Sequence, residues 1–350
     1  MRWTVTLAAS LMLACSAGRA EVTLGSAHAI VVDEVSGEVL LQKDVLTAAP
    51  MASLTKLMTA MVVLDAGQDP DEGLRIAAAD QDRLKSTHGG VPVGAVVPRR
   101  TLLELSLIAS DNHAAAALAR HYPGGMDAFQ VAMRRKIQDL GLQSTLIEEP
   151  TGLSPNNLSS AQDMVKVLRA SAGYPAIAQI TSRRNHVVQV NGRRWSVRNT
   201  NRFVGAPGWN ILLSKTGFTN EAGRCLSMRL QAAGRTVMVV LMGAAGAAVR
   251  SHDALNIQRW LGAEPALAAA PARRTPLRLV AAGRRDGALE PRPGFFAERP
   301  VGPAAAPAEP GVGEATQDDV DATATPQAAD DEDTAPVEVP APPVQANAAK

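Results

Sequence analysis

Apolar residues change their spacing twice along the chain, from short strand-like runs to helical spacing and back to short runs. The runs at 27–33 and 38–42, joined by E-V-S-G, predict a β-hairpin. Helical spacing follows over residues 52–64, in two stretches within 102–121, over 126–140 and from Ser159 or Ser160 to about 170. The first half of the chain therefore predicts a hairpin followed by a block of helices.

In the second half of the chain the spacing of apolar residues again becomes typical of strands. V-V-Q-V-N-G-R-R-W-S-V predicts a hairpin that turns on Asn191-Gly192. Three further strands are predicted for I-L-L-S-K-T-G-F-T, G-R-C-L-S-M-R-L and R-T-V-M-V-V-L-M, and a closing helix for Ser251 to Trp260. This order predicts a mixed α/β (α+β) fold: an antiparallel five-stranded sheet whose first strands pair with its last, flanked by helices, with an inserted all-helical lobe. A cleft is expected between lobe and sheet.

The first twenty residues differ from the rest. Arg2 precedes an apolar run from Val5 to Ala14, and G-R-A at 18–20 supplies the small residues that a signal peptidase requires, so residues 1–20 predict a cleaved secretory signal peptide. The alternative is lipoprotein processing at Cys15. Since no later segment has eighteen consecutive apolar residues, we expect an exported protein without a stable transmembrane anchor, in the periplasm of a Gram-negative bacterium.

The C-terminal part is rich in alanine, proline and acidic residues. Residues 309–350 hold ten Asp or Glu and one lysine, although the net charge of the whole chain is +1. Low hydrophobicity with clustered like charge predicts that residues 265–350 are disordered, which leaves 21–264 as the folded domain. The positive charge of that domain favours an anionic polymer such as nucleic acid or cell wall, or is a scatter of surface arginines.

Cysteine and histidine are too sparse for a disulfide framework or a zinc site. Removal of the signal peptide leaves only Cys225, which we expect to be a buried apolar residue and not a nucleophile. The six histidines show no H-x-x-H or H-E-x-x-H spacing, so no metal site is predicted. His113 and His121 are expected on helix surfaces and not as catalytic bases.

The first predicted helix carries the clearest candidate chemistry. Ser53 and Lys56 are one helical turn apart in A-S-L-T-K-L-M-T-A-M-V-V-L. In an apolar setting the ammonium loses hydration and its pKa falls, so a neutral lysine could accept the serine proton without a histidine. The alternative is that Ser53 only caps the helix and Lys56 extends to solvent.

Two further triplets favour the catalytic interpretation of Ser53 and Lys56 over the structural one. Ser110-Asp111-Asn112 lies between two helical stretches, where a turn would present a hydroxyl and an amide to the cleft, although Ser154-Pro155-Asn156 is a second S-x-N match. Lys215-Thr216-Gly217 lies within an apolar strand, where glycine would allow a substrate backbone to approach closely. S-x-x-K, S-D-N and K-T-G in this order are typical of penicillin-binding proteins and class A β-lactamases.

The similarity is wider than the three triplets. The runs around them, together with E-P-T-G-L-S, resemble the low-molecular-mass penicillin-binding proteins of the D-alanyl-D-alanine carboxypeptidase family (peptidase S11) over roughly residues 25–262. H-Y-P-G-G and W-N-I-L-L-S-K-T-G-F-T-N-E-A-G-R-C-L resemble its D-alanyl-D-alanine endopeptidase branch. The resemblance implies a β-lactamase/DD-peptidase-like fold.

The resemblance also implies a role for each matching residue. Ser53 would be the acylated nucleophile and Lys56 its general base, while Ser110 and Lys215 would pass a proton to the leaving amine. Asn112 would bind the substrate backbone and Thr216 a substrate carboxylate. Gly217 would complete the K-T-G substrate site, and the backbone N–H groups of Ser53 and Phe218 would form the oxyanion hole. No cofactor or metal is implied.

The implied activity is penicillin-inhibited cleavage of D-Ala-diaminopimelate cross-links in peptidoglycan. The same site could accept a terminal D-Ala-D-Ala, so a carboxypeptidase is the first alternative. A β-lactamase is a second, but it needs a carboxylate in an E-x-x-L-N run, and Pro150 and Gly152 break that pattern. A catalytically inactive peptidoglycan-binding scaffold is the third. The expected partners are peptidoglycan peptide stems and β-lactam antibiotics, with no nucleic acid.

Overall fold

The computed structural model describes residues 22–82, 84–85 and 90–263. Its strands are β1 His28–Asp33, β2 Val39–Lys43, β3 Ala49–Pro50, β4 Gly73–Arg75, β5 Val96–Pro98, β6 Leu158–Ser159, β7 Asn185–Val190, β8 Arg193–Arg198, β9 Asn210–Thr219, β10 Gly223–Ala232 and β11 Arg235–Ala244. Its α-helices are α1 Thr55–Asp65, α2 Arg99–Ile108, α3 Asn112–Arg120, α4 Gly125–Asp139, α5 Ala161–Ala172, α6 Pro175–Thr181 and α7 Ala247–Ala263. Two 3-10 turns span Ala52–Leu54 and Ala78–Asp80.

A five-stranded antiparallel sheet has the order β2-β1-β11-β10-β9. β1 pairs with β11 in a register that places His28 opposite Met242 and Asp33 opposite Val237. The predicted pairing of the first strands with the last is therefore confirmed. Helices α1 to α6 are encoded between β2 and β9, which confirms the mixed fold with an inserted helical lobe.

The two faces of the sheet belong to two cores. Ile30 and Val32 of β1 pack with the helical lobe, whereas the alternate residues Ala29 and Val31 pack with α7. Successive strand residues point to opposite faces, so a strand buried on both sides must be apolar at nearly every position. This explains why the run A-I-V-V lacks polar alternation although it lies in an antiparallel sheet.

Local signals set several element boundaries. Asn191 and Gly192 both have positive φ, +50° and +72°, as a two-residue hairpin turn requires, and they join β7 to β8 in a separate two-stranded sheet. The Ser160 hydroxyl accepts a hydrogen bond from the backbone N–H of Asp163 and so caps α5, as predicted. Helix α6 was not predicted because its seven residues are too few to establish a helical period.

Three predictions concern residues that the structure does not describe. The signal peptide at 1–20, the alternative of lipidation at Cys15 and the disordered tail at 265–350 all lie outside the described residues and stay predictions. Over 22–82, 84–85 and 90–263, every helix is too short or too polar to cross a membrane.

One buried carboxylate joins the start of the domain to its last helix. Asp253 of α7 is 3% exposed and accepts hydrogen bonds from the backbone N–H groups of Gly25 and Ser26 and from the Ser26 hydroxyl. We expect Asp253→Ala to lower the free energy of unfolding by about 3 kcal/mol, because the buried N–H and hydroxyl of Ser26 and the partly buried N–H of Gly25 lose their acceptor. Urea denaturation measures this loss. Asp139→Ala is the control, since Asp139 is exposed and forms a long ion pair with exposed Arg135, at 3.9 Å, so a loss of similar size there would contradict the assignment.

Candidate active site

Ser53 lies in the tight turn that leads into α1. Its turn is unusual because Ala52 has φ +47°, a conformation that disfavours residues with a side chain. A Cβ on Gly217 of β9 would lie 3.0 Å from the Ser53 nitrogen, and one on Gly152 would lie 2.0 Å from the Ala52 carbonyl oxygen. Two glycines therefore let β9 and the 150–154 loop pack directly against the backbone that carries Ser53.

Lys56 is completely buried beneath Ser53. Its Nζ lies 2.8 Å from Ser53 Oγ, 2.7 Å from Asn112 Oδ1 and 2.7 Å from the Thr151 carbonyl oxygen. The alternative prediction, a capping serine and a solvent-exposed lysine, is wrong. The N-cap of α1 is Leu54, and the serine side chain faces the lysine instead of a backbone N–H.

Burial lowers the pKa of Lys56 to about 8, although the negative charges of Glu149, Asp111 and Asp82 act in the opposite direction. Removing the ammonium from water disfavours its charged form, and three neighbouring oxygens replace only part of its hydration. With a pKa of about 8, roughly a tenth of this lysine is neutral at pH 7 and about half at pH 8.

The S-D-N triplet forms a turn between α2 and α3. Ser110 has φ +62°, and the Asp111 carboxylate caps α3 by accepting from the Ala114 N–H while also accepting from the Val91 N–H. Asn112 is the first residue of α3, which aims its side chain at Lys56. The turn thus holds a hydroxyl and an amide at one end of α3.

Lys215 of β9 is the second buried ammonium. It is 1% exposed, and its Nζ donates to Ser110 Oγ at 2.8 Å and to the Thr216 carbonyl oxygen at 3.0 Å. Burial lowers the pKa of Lys215 well below its usual value, and the positive charges of Lys56 and Arg250 lower it further. Two lysines, each bonded to a serine hydroxyl, therefore form one connected site.

The remaining predicted substrate residues lie on β9. The Thr216 hydroxyl donates to the Thr200 hydroxyl at 2.7 Å. Phe218 is 47% exposed, and the Arg224 guanidinium lies 3.8 Å above its ring. The structure therefore brings Ser53, Lys56, Ser110, Asn112 and Lys215 into hydrogen-bond contact in two clusters and places Thr216, Gly217 and Phe218 along the adjoining strand.

The sequence analysis did not identify three groups near the lysines. Arg250 of α7 acts on Lys215, and no local motif marks it. Thr200 contacts Thr216 only in the folded chain, because the two residues are 16 positions apart in sequence. The Thr151 carbonyl, which contacts Lys56, belongs to the E-P-T-G-L-S run that the sequence marked only as part of a resemblance.

Among the described residues, neither histidine nor cysteine takes part in the hydrogen bonds of the two lysines. The prediction of His113 on a helix surface is wrong: it is 9% exposed, with Nδ1 2.9 Å from the Val91 carbonyl oxygen, because the chain at Val91 covers the start of α3. Burial raises the pKa of the Cys225 thiol to about 11, and this completely buried residue is not a nucleophile, as predicted. Among the described residues, no three histidine, cysteine or acidic side chains are placed to hold a metal ion.

Comparison with known proteins agrees with this geometry. Residues 15–246 match the family model described as D-alanyl-D-alanine carboxypeptidase, peptidase S11. A protein of Pseudomonas aeruginosa named D-alanyl-D-alanine endopeptidase is 42% identical over 240 residues, which are 68% of this chain and 77% of that protein. An Escherichia coli K12 protein of the same name is 40% identical over 250 residues, covering 71% and 80%.

A solved structure gives the same result for the fold. The Streptomyces K15 DD-transpeptidase superposes with a TM-score of 0.64 at 24% identity, covering 69% of this chain and 98% of that one. At this identity the likeness concerns the fold alone. Together with the family match over most of the described residues, these comparisons show that the chain belongs to the D-alanyl-D-alanine carboxypeptidase family, peptidase S11.

Proposed function

We propose that this protein is a serine D-alanyl-D-alanine endopeptidase that cleaves peptidoglycan cross-links through an acyl-enzyme. The observation that carries the proposal is the set of oxygens around Lys56. Asn112 Oδ1 and the Thr151 carbonyl oxygen can only accept hydrogen bonds. A neutral amine has two hydrogens and one lone pair, so both hydrogens go to these oxygens and the lone pair is left for the Ser53 hydroxyl.

Acylation follows from this arrangement. The Ser53 hydroxyl proton moves to Lys56 Nζ while Ser53 Oγ bonds to the carbonyl carbon of the D-alanine residue. The backbone N–H groups of Ser53 and Phe218 would stabilise the resulting oxyanion, and Gly217 permits their close approach because its hydrogen lies where a Cβ would contact the Ser53 nitrogen.

The leaving amine also needs a proton. The proton that Lys56 took from Ser53 reaches the leaving amine by way of Lys215 and Ser110 Oγ, which share a 2.8 Å hydrogen bond, so that Lys56 is neutral again. Water then attacks the ester carbon and gives a proton to Lys56, and Lys56 passes that proton to Ser53 Oγ as the ester bond breaks and the acid is released. Asn112 and Thr216 would hold the substrate backbone and its carboxylate.

The preference for cross-links rests on the relatives. Two proteins named D-alanyl-D-alanine endopeptidase are 42 and 40% identical to this chain, whereas those named D-alanyl-D-alanine carboxypeptidase DacB2 and DacF are 33 and 29% identical. The same carboxylate site accepts a terminal D-Ala-D-Ala, so carboxypeptidase activity is the alternative. We further propose a periplasmic location, peptidoglycan peptide stems as substrate and β-lactams as inhibitors.

Contacts at Glu149 argue against the β-lactamase alternative. Its carboxylate accepts hydrogen bonds from the backbone N–H groups of Thr151, Gly152 and Ser154. It is therefore occupied by the loop that carries it and is not free to activate a deacylating water. We expect slow deacylation of penicillin and hence inhibition.

Product analysis tests the proposed function. The purified protein is incubated with cross-linked muropeptide dimers and, separately, with a stem pentapeptide that ends in D-Ala-D-Ala. Conversion of dimers to monomers, faster than release of free D-alanine and blocked by penicillin, is the expected result. Release of D-alanine alone would favour the carboxypeptidase, and turnover of penicillin would favour a β-lactamase. If the protein forms no product and no covalent adduct with penicillin, the inactive scaffold is favoured.

The pH dependence of acylation provides a separate prediction. Because neutral Lys56 is the base and its pKa is about 8, the acylation rate should rise with pH through a midpoint near pH 8. Below that pH the lysine is protonated and cannot accept the Ser53 proton. Single-turnover labelling with fluorescent penicillin between pH 6 and pH 10 measures this curve, with penicillin decay in buffer as the control. A rate that does not change over this interval would contradict the neutral-base mechanism.

A further inference from the structure

The Glu149 side chain has five hydrogen-bond donors around it. Oε1 accepts from the N–H groups of Gly152 and Ser154 and from Asn157 Nδ2, at 2.6, 3.2 and 3.1 Å. Oε2 accepts from the N–H and the hydroxyl of Thr151, at 2.7 and 2.5 Å. A carboxylate with both oxygens used in this way fixes the backbone that donates to it. The 150–154 loop is therefore wound around one side chain.

The same loop is attached to helix α1 by its carbonyl groups. The Pro150 carbonyl accepts from the Thr59 hydroxyl and the Thr151 carbonyl from Lys56 Nζ, both at 2.7 Å. Completely buried Asn157 joins the two elements, since its Nδ2 contacts both Glu149 Oε1 and Thr55 Oγ1. The position of the Thr151 carbonyl thus depends on contacts on both sides of the loop.

Gly152 shows how little freedom this packing leaves. Its φ is +87°, and a Cβ there would lie 2.0 Å from the Ala52 carbonyl oxygen and 2.9 Å from the Ser53 nitrogen. The Gly152 N–H donates to Glu149. A change in the loop would therefore reach both the turn that carries Ser53 and the carbonyl that contacts Lys56.

We propose that Glu149 is a positioning residue for acylation, holding the 150–154 loop so that the Thr151 carbonyl orients the Lys56 amine toward Ser53. This inference rests on the proposed function. Without the Thr151 carbonyl, one of the two amine hydrogens would have no fixed acceptor, and the lone pair would no longer be directed at the Ser53 hydroxyl.

The negative charge of Glu149 has a second effect on Lys56, in addition to the contacts that hold the 150–154 loop. The groups that act on the pKa of Lys56 are Glu149, Asp111 and Asp82, all of which raise it against the effect of burial. The positive charges of Lys56 and Arg250 in turn lower the pKa of Lys215, the other buried amine of the site. Removing the negative charge of Glu149 therefore lowers the pKa of Lys56.

The test is the pH profile of penicillin acylation in Glu149→Gln. The amide cannot accept at its nitrogen, so the Thr151 donors lose their acceptor, and the rate at the high-pH plateau should fall between about tenfold and a hundredfold. The midpoint of the profile should move to lower pH. A plateau rate equal to that of the unaltered protein would overturn the proposal, because the neutral Lys56 amine would then be oriented without Glu149.

Glu148→Gln is the matched control. Glu148 is the preceding carboxylate, is exposed, and contacts the Ser154 hydroxyl and the Asn156 amide but neither Thr151 nor Lys56. Its plateau rate and midpoint should equal those of the unaltered protein. An equal decrease in both variants would show a general effect of charge near the loop and would overturn the proposal.

Glu149→Asp provides a second test, including the case in which the glutamine variant does not fold. Aspartate keeps the charge but is shorter by one methylene, so the plateau rate should fall while the midpoint stays near that of the unaltered protein. An unchanged plateau would overturn the proposal. Failure of the proposed function is distinguishable, since it would appear as absent Ser53-dependent labelling in the unaltered protein.

Discussion

Ser53→Ala should abolish covalent labelling by penicillin and reduce muropeptide cleavage by about 10⁴-fold or more. The variant keeps both lysines and the loops around them but has no oxygen to form the acyl bond. Loss of the hydroxyl removes only one short contact with Lys56, so we expect the protein to remain folded. Labelling with fluorescent penicillin, followed by intact-mass measurement, records the presence or absence of the adduct.

Ser154→Ala is the matched control for this loss. Ser154 begins the second S-x-N stretch of the chain, and its hydroxyl contacts the Glu148 carboxylate, not either lysine. It should be labelled at the rate of the unaltered protein. A stoichiometric adduct on Ser53→Ala would place the nucleophile at another residue and contradict the proposed mechanism.

Lys56→Met should reduce the rate of acylation by about 10²- to 10⁴-fold, the usual contribution of a general base. Methionine fills a similar volume but cannot accept the Ser53 proton. Asn112 Oδ1 and the Thr151 carbonyl also lose their donor, so some stability is lost as well. The single-turnover acylation rate measures the catalytic part, and urea denaturation measures the loss of stability.

Lys56→Arg separates charge from basicity. Arginine keeps the positive charge and the hydrogen-bond donors, but it is not deprotonated in proteins. We therefore expect a rate as low as that of Lys56→Met and no midpoint near pH 8. Activity within tenfold of the unaltered protein would show that Lys56 acts through its charge and not as a base.

Much of the fold was predictable because its signals are local. The Asn191-Gly192 turn and the Ser160 cap each depend on the conformational preferences of one or two residues, and both occur where the sequence indicates. The pairing of β1 with β11 followed from the order of the elements, because a sheet made of the first and last strands, with the helical block inserted between them, satisfies the layer rules. Helix α6 was missed because seven residues give no reliable period.

The residues of the candidate site were identified by resemblance, and their geometry could not be read from the sequence. Lys56 meets Asn112 and Thr151 only after α1, α3 and the 150–154 loop have packed together. Glu149 was given no role of its own, because its five contacts come from residues two to eight positions ahead in a turn without a regular pattern. His113 was misplaced because the residues that bury it are distant in sequence.

The pairing of β1 with β11 has a consequence for how the protein folds. His28 pairs with Met242, so the central strand is completed by segments separated by roughly 200 residues of chain. Asp253 adds a second link between the same two ends. Contacts of such long range slow folding and cannot form before both segments have been synthesised. Because α7 carries Asp253, the described part of the chain should complete its fold only after α7 has been made.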